Sequence, residues 1–266
     1  MPVEHRRVAL DGVPFDALTQ AEVVAHVRAA LDRGAGGHIV TPNVDILRQI
    51  HRDRALRAVV CRADLILADG APLLWASRLA GTPLPERVAG ADLIWSLSAG
   101  LAQDGRSVYV LGGAMSALCW AEGAHRAAAV LSAAYPGLRV AGYASPRFGF
   151  ERDRSALDAL CADIVEVKPD VVYVGLGFPK QDWLIGLLRG DLPFTWFVGC
   201  GAAVGFVSGE RDRAPGWMQR TGLEWAHRLA AEPDRLAGRY LRHDAPFALR
   251  LLGSAALSRR RSGGKV

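Results

Sequence analysis

Cysteine is scarce and scattered. Cys61, Cys119, Cys161 and Cys200 form no CxxC pair, no Cys-His pair and no framework spacing. That excludes a disulfide scaffold and reads as reduced core thiols of a cytosolic protein. Long apolar runs are absent too, none approaching the roughly 20 residues needed to span a bilayer. Met1 to Asp16 mixes charged and apolar residues and lacks the apolar core of a signal peptide. Any membrane contact is therefore expected to be peripheral. There is no HExxH motif, His/Cys cluster or DxD-like acidic pair, so no tightly held metal is expected. A GxSxG elbow and a P-loop are missing as well. The seven histidines are scattered, none beside a nucleophile.

Apolar residues, by contrast, make up half of the 266 positions, with 22% charged. That is enough for one large packed α/β domain, or a domain with an appendage. Charge is placed unevenly. Arg211 to Val266 holds 12 basic and 5 acidic residues, a net of +7, which leaves −2 of the chain's +5 for residues 1–210. A basic C-terminal segment points to an anionic partner: a phosphate-bearing substrate, an anionic membrane surface or nucleic acid. Nucleic acid is the weakest of these, because the segment contains no recognised nucleic-acid motif.

Short apolar runs alternate with helical patterns. Thr19 to Leu31 reads as a helix, with Thr19 and Glu22 forming a capping box. His38-Ile39-Val40 is a strand ending at Thr41-Pro42-Asn43, and Val44 to Val60 is helical. Leu65 to Ala68 is a strand, and helices follow over Ala71–Ala80 and Ala91–Ala102. Further strands are Ser107–Leu111, Leu138–Tyr143, Asp170–Val174 and Phe194–Val198. Helices are expected at Ala117–Ala134, Ser155–Val167 and from about Lys180. This rhythm predicts an α/β fold: a Rossmann-like, mostly parallel sheet with helices on both faces. After Gly209 the texture changes to arginine-bearing helical segments, so the expected organisation is an α/β core over 1–209 and a basic helical appendage over 210–266. Pro246 to Leu257 is apolar apart from Arg250 and precedes Arg259-Arg260-Arg261. It reads equally as a membrane-interface helix or a docked terminal helix with a basic tail.

The strand ends supply the chemistry. Asp69 stands at the C-terminal tip of its strand, the edge where open α/β sheets bind ligands. It can serve as a general base or simply cap the helix that starts near Ala71. Thr41 and Asn43 offer a hydroxyl and an amide, or a cap for the next helix. Gly112-Gly113-Ala114-Met115-Ser116 is a glycine turn before a helix, where N–H groups can meet phosphate. It is not GxGxxG, so a dinucleotide site is poorly supported. Gly175-Leu176-Gly177 permits close backbone approach, with Lys180 and Gln181 at the following helix N-terminus. Arg228, Arg235 and Arg242 are spaced to share a face of one continuous helix, although Pro233 interrupts it.

Taken in order, Thr41-Pro42-Asn43, Ala68-Asp69-Gly70, Glu86-Arg87-Val88-Ala89-Gly90, Gly112-Gly113, Tyr135-Pro136-Gly137, Gly175-Leu176-Gly177 with Pro179-Lys180-Gln181, Arg213-Ala214-Pro215 with Trp217, Gly222-Leu223-Glu224-Trp225 through Arg228-Leu229, Glu232-Pro233, Arg235 and Arg239-Tyr240 resemble the WecG/TagA/CpsF family of bacterial glycosyltransferases, also called glycosyltransferase family 26. Each motif is weak alone; their collinearity from about Thr41 to Tyr240 is specific. The resemblance implies transfer of a sugar from a UDP-sugar to a polyprenyl diphosphate-linked sugar, with inversion and no essential metal or cofactor. It places the enzyme at the cytoplasmic face of the membrane, in cell-surface or exopolysaccharide synthesis, with the appendage closing over the site. N-acetylmannosamine-type and glucose-type donors both occur among similar proteins.

By that resemblance Asp69 is the candidate base, with Thr41 beside it. Asn43, Gly112, Gly113, Gly175, Gly177, Lys180 and Gln181 are candidate substrate-binding residues. Arg228, Arg235 and Arg239 would neutralise a diphosphate. Three departures stand out: Val204-Gly205 precedes Phe206 where a Phe-Asp pair is common, Gln181-Asp182 replaces Gln-Glu, and Gly238 replaces the first of two arginines. The competing reading is a non-catalytic nucleotide- or polymer-binding module docked at the membrane. No nucleic-acid partner is expected, and self-association is left open. Removing the residues after Gly209 is expected to abolish lipid-substrate activity and leave a folded core.

Overall fold

A computed structural model of the chain describes residues 5–113 and 122–263. It opens with a hairpin, β1 (Arg7–Leu10) and β2 (Val13–Asp16), that the sequence reading did not assign. Asp11 and Gly12, both at positive φ, form its two-residue turn, as hairpin twist requires. Val8, Leu10, Val13 and Phe15 point inward. Helix α1 (Gln20–Asp32) follows, and Thr19 and Glu22 form the expected capping box.

Six strands make one wholly parallel sheet: β3 (Gly37–Val40), β4 (Leu65–Ile66), β5 (Ser107–Gly112), β6 (Arg139–Ala144), β7 (Val171–Gly175) and β8 (Trp196–Gly199). They are arranged β4-β3-β8-β7-β5-β6. Between them run α2 (Val44–Arg52), α3 (Arg54–Cys61), α4 (Ala71–Leu79), α5 (Gly90–Gln103), α6 (Glu122–Ala134), α7 (Arg154–Val167) and α8 (Lys180–Leu188). The expected strands are all present, within a few residues of their expected bounds. The expected helix over 44–60 is two, because Asp53 turns extended and caps α3 with bonds from the Ala55 and Leu56 N–H groups. Residues 117–121 of the expected Ala117–Ala134 helix, Cys119 among them, lie outside the described residues, as do Ala114, Met115 and Ser116 of the expected glycine turn. Cys200 is buried, whereas Cys61 is exposed and so is no core thiol.

Strand alternation builds a core on each face. Val108, Val110, Tyr173 and Val198 pack with α1, α5, α6 and α9 (Ala203–Val207) on one side. Tyr109, Leu111, Val172 and Phe197 pack with α7 and α8 on the other, where Val40 and Ile66 meet α2 and α4. At the centre, β5 and β7 approach so closely that a Cβ on Gly112 would lie 2.6 Å from the Gly175 carbonyl oxygen, at φ +129°. The contact is with backbone, so one of the two strands must shift. Gly112→Ala is therefore expected to cost about 2 kcal/mol or more, read as a lowered denaturant midpoint at unchanged m-value.

After Gly209 come α10 (Gly216–Thr221), α11 (Glu224–Ala231), α12 (Pro233–Arg239), a π-helical turn (Tyr240–Asp244) and α13 (Ala245–Gly263). The break at Glu232-Pro233 separates Arg228 from Arg235 and Arg242, so no single helix face carries all three. Helix α13 docks: Phe247, Leu251 and Ala255 are buried in the same cluster as Val40, Leu47, Ile66 and Leu73. Leu249 and Leu257 remain exposed on its outer side. Among the described residues, no helix is long and apolar enough to cross a membrane.

Candidate active site

The strand ends converge along the carboxyl edge of the sheet. Past β4 the chain stays extended, with the Leu67 N–H bonded to the Val40 carbonyl at 2.9 Å and the Asp69 N–H to the Pro42 carbonyl at 3.0 Å. These bonds lay Thr41-Pro42-Asn43 beside Asp69-Gly70. Asp69 does not cap α4: Gly70 holds the N-cap position and no side chain bonds that helix end. Thr41 is buried, its hydroxyl 3.4 Å from the Gly199 carbonyl. Asn43 Oδ1 accepts the Ile46 N–H at 3.0 Å and caps α2, which uses one of the amide's hydrogen-bonding positions and leaves its two N–H donors unused by the cap.

The other predicted residues divide. Gly112, Gly113, Gly175 and Gly177 lie at the same edge, and Gly112, Gly113 and Gly177 have positive φ. Gln181 is buried there, its Oε1 accepting the Gly201 N–H at 3.1 Å. Its amide nitrogen lies 2.7 Å from where a Cβ on Gly199 would stand. It thus ties α8 to the turn after β8. Lys180 turns away: its Nζ pairs with Glu151 at 2.8 Å and stands 5.1 Å from the centre of the Phe148 ring. Behind Gln181, buried His38 and Asp182 face each other at 3.2 Å.

Opposite Asp69 stands Arg87. The Val88 N–H bonds the Ala68 carbonyl at 3.0 Å, pinning the Glu86–Gly90 loop along the extended chain. Arg87 Nη1 then lies 3.7 Å from Asp69 Oδ1, and Nη2 bonds Asp92 at 2.8 Å. The C-terminal segment completes the group. Gly222, at φ +77°, ends α10 so close to α4 that a Cβ there would meet the Ala71 Cβ at 2.5 Å. This brings Glu224 to 3.1 Å from Arg87 and 2.9 Å from Arg228. Arg213 bonds Asp92 at 2.7 Å, and the Arg228 guanidinium lies 5.1 Å from the Phe206 ring centre. The Asp69 side chain keeps 29% of its exposure, and partial loss of water around it pushes its carboxyl up to about 6. Arg87 and Arg228 oppose that rise, whereas Glu224 and Asp92 add to it.

Arg239 lies elsewhere. It stands 3.7 Å from Asp45 and 3.9 Å from Asp244, both of which also pair with Arg48. That cluster joins α2 to the π-helical turn. The side chain of Arg235 lies outside the described residues. Gly205, where the family resemblance leads one to expect a carboxylate, would carry a Cβ 3.6 Å from Glu210 Oε2, so a carboxylate reaches this place from five residues on. Arg87, Arg213 and Glu224 lie within the motifs of the sequence, but no role was expected of them. Arg87 follows Glu86 and Arg213 follows Arg211-Asp212, whereas Glu224 stands alone between Leu223 and Trp225, and none of these patterns signals a site. A cavity of about 520 Å³ adjoins Arg87 and Asp92, with Trp75, Arg78 and Gln219 among its walls.

The fold and this edge define a Rossmann-like α/β protein whose polar cleft holds a carboxylate opposite arginines. The model of the glycosyl transferase WecG/TagA/CpsF family matches residues 8–262, and the chain belongs to that family. It is 35% identical over 214 residues to the N-acetylglucosaminyldiphosphoundecaprenol N-acetyl-beta-D-mannosaminyltransferase of Bacillus spizizenii strain W23, covering 80% of this chain and 78% of that one. It is 30% identical to the Bacillus subtilis strain 168 protein of the same name, over 77% and 75% of the two chains. The Staphylococcus aureus strain NCTC 8325 protein, again of that name, is 25% identical over 89% and 91%.

Proposed function

We propose that this chain is an inverting, metal-independent glycosyltransferase that moves a sugar from a UDP-sugar to a polyprenyl diphosphate-linked sugar. The names of its relatives favour an N-acetylmannosaminyl group and an N-acetylglucosaminyl diphosphoundecaprenol acceptor. The carrying observation is Asp69, free of helix capping, held at the carboxyl edge and pushed up to about 6. The acceptor oxygen attacks the anomeric carbon, its proton passes to Asp69, and the bond from that carbon to the UDP oxygen breaks with inversion. Arg87 and Arg228 supply positive charge for a diphosphate, a stabilisation worth most in a site shielded from water. Exposed Trp217, Trp225 and Leu241 in the segment after Gly209 suit contact with a membrane surface, here its cytoplasmic face.

The test is a screen of UDP-sugars against a short polyprenyl diphosphate-linked N-acetylglucosamine acceptor, reading product and anomeric configuration. Transfer with inversion is expected from an N-acetylmannosamine donor. No transfer from any donor, with nucleotide binding retained, would favour a binding module instead.

The pH profile gives a second check. Asp69 must be ionised to accept a proton, so kcat/KM should fall about tenfold per pH unit below about 6 and level off above it. Arg87 favours the ionised form, so Arg87→Gln should move this acid limb to higher pH. A limb that stays in place would separate it from Asp69.

A further inference from the structure

Three guanidinium groups converge on one carboxylate. Glu224, at the start of α11, lies 3.1 Å from Arg87 Nη1, 2.9 Å from Arg228 Nη2 and 3.9 Å from Arg213 Nε. Its side chain is only 13% exposed, so the contact is largely shielded from water. A permanent clamp would be expected to saturate its donors, because a buried N–H without an acceptor is costly. Here Arg213 Nε and Nη2 and Arg228 Nε are buried with no hydrogen-bond acceptor among the described residues. Asp92 already pairs with Arg87 at 2.8 Å and with Arg213 at 2.7 Å, yet together with Glu224 it leaves these three N–H groups unpaired, whereas a diphosphate offers more oxygens and more charge than one carboxylate, in a form suited to guanidinium forks. The site also lies where a diphosphate is needed, since Arg87 touches Asp69 at 3.7 Å.

We propose that Glu224 is an internal surrogate for a diphosphate group: it fills an anion site built by Arg87, Arg213 and Arg228, and leaves that site when a substrate diphosphate enters. The inference rests on the reading of the chain as a transferase that handles diphosphates. Glu224 follows Gly222 and Leu223, which are not helical, so the carboxylate can swing out at the α10–α11 junction or by side-chain rotation alone.

The test titrates inorganic pyrophosphate into the full-length protein by calorimetry at low salt. Glu224→Gln keeps the shape and removes the competing charge, and should bind pyrophosphate at least tenfold more tightly than the parent. Glu224→Asp withdraws the charge by one methylene and should fall between the two. Equal or weaker binding in either variant overturns the proposal, so one folded variant is enough. In the Glu224→Gln background, Arg213→Gln should weaken pyrophosphate binding at least fivefold; no change would remove Arg213 from the site and overturn the proposal as stated. UDP and farnesyl diphosphate, titrated into the same proteins, distinguish the two sources of diphosphate. A gain for one alone assigns the site to that substrate, and a gain for neither overturns the surrogate role. The pyrophosphate result does not depend on sugar transfer. Tighter binding in a protein that transfers no sugar would refute the transferase reading and leave the surrogate standing.

Discussion

Asp69→Asn is expected to lower turnover about 10³-fold, within the range that a positioned general base contributes, while UDP-sugar affinity stays within about twofold. Asparagine keeps the shape and polarity of the side chain and loses only the capacity to take a proton. The same substitution should not destabilise the fold. Asp69 has a folded-state pKa of about 6 against an ordinary 3.8, so between those values the unfolded chain releases the proton first and stability declines as pH rises. Above about 6 that penalty is complete, and a neutral asparagine escapes it. Melting temperature at pH 7.5 should therefore match or exceed the parent's. Near-parental turnover would remove Asp69 as the base, and a collapse in melting temperature would show that the carboxylate is structural.

A chain cut after Gly209 should lose transfer to the lipid acceptor and, with it, most of its stability. The catalytic half of this expectation follows from Arg213 and Arg228, which reach the Asp69 cleft from beyond the cut. The stability half revises the expectation of a core that folds alone. Helix α13 buries Phe247 and Leu251 in the cluster that holds Val40, Ile66 and Leu73, and each such side chain is worth about 1.5–3 kcal/mol when buried. Losing both removes an amount comparable to the net stability of a small domain, about 5 kcal/mol at the low end. Chemical denaturation should show a lower midpoint and a less cooperative transition. A truncated chain that melts with the parent would mean that α13 only rests on the core.

Much of the architecture was legible because buried parallel strands are short apolar runs that stop at Gly, Asp or Thr-Pro. Val108 to Leu111 and Val171 to Val174 are such runs. The hairpin at Arg7–Asp16 carried a legible signal, Asp11-Gly12 between the alternating pairs Val8/Leu10 and Val13/Phe15, and went unassigned because strands of four residues, one of them holding Pro14, are weak strand signals. The split at Asp53 was invisible to periodicity, because apolar spacing continues on both sides. At the site, Asp69, Thr41 and Gln181 could be found because each sits one step past a strand or at a helix start. Arg87 and Glu224 could not be given roles, because 137 positions separate them and nothing in their local patterns says that they meet. Lys180 misled for the opposite reason. It occupies a helix N-terminus that suits anions, yet Glu151, carried on the 3-10 turn Phe150–Arg152, claims it first.

The N-terminal hairpin also bears on how copies of this chain can meet. Asp16, fully buried, accepts the Ile66 N–H at 2.6 Å and is held by His5 and Arg7. The outer border of β4 is thereby sealed with a carboxylate and a folded ribbon, where an added strand would need open N–H and carbonyl groups. The opposite border is β6, whose Arg139 and Tyr143 face solvent. Any assembly that lengthens this sheet from one molecule into the next must form there, on the side of the molecule farthest from Asp69, so pairing of that kind would leave the cleft open.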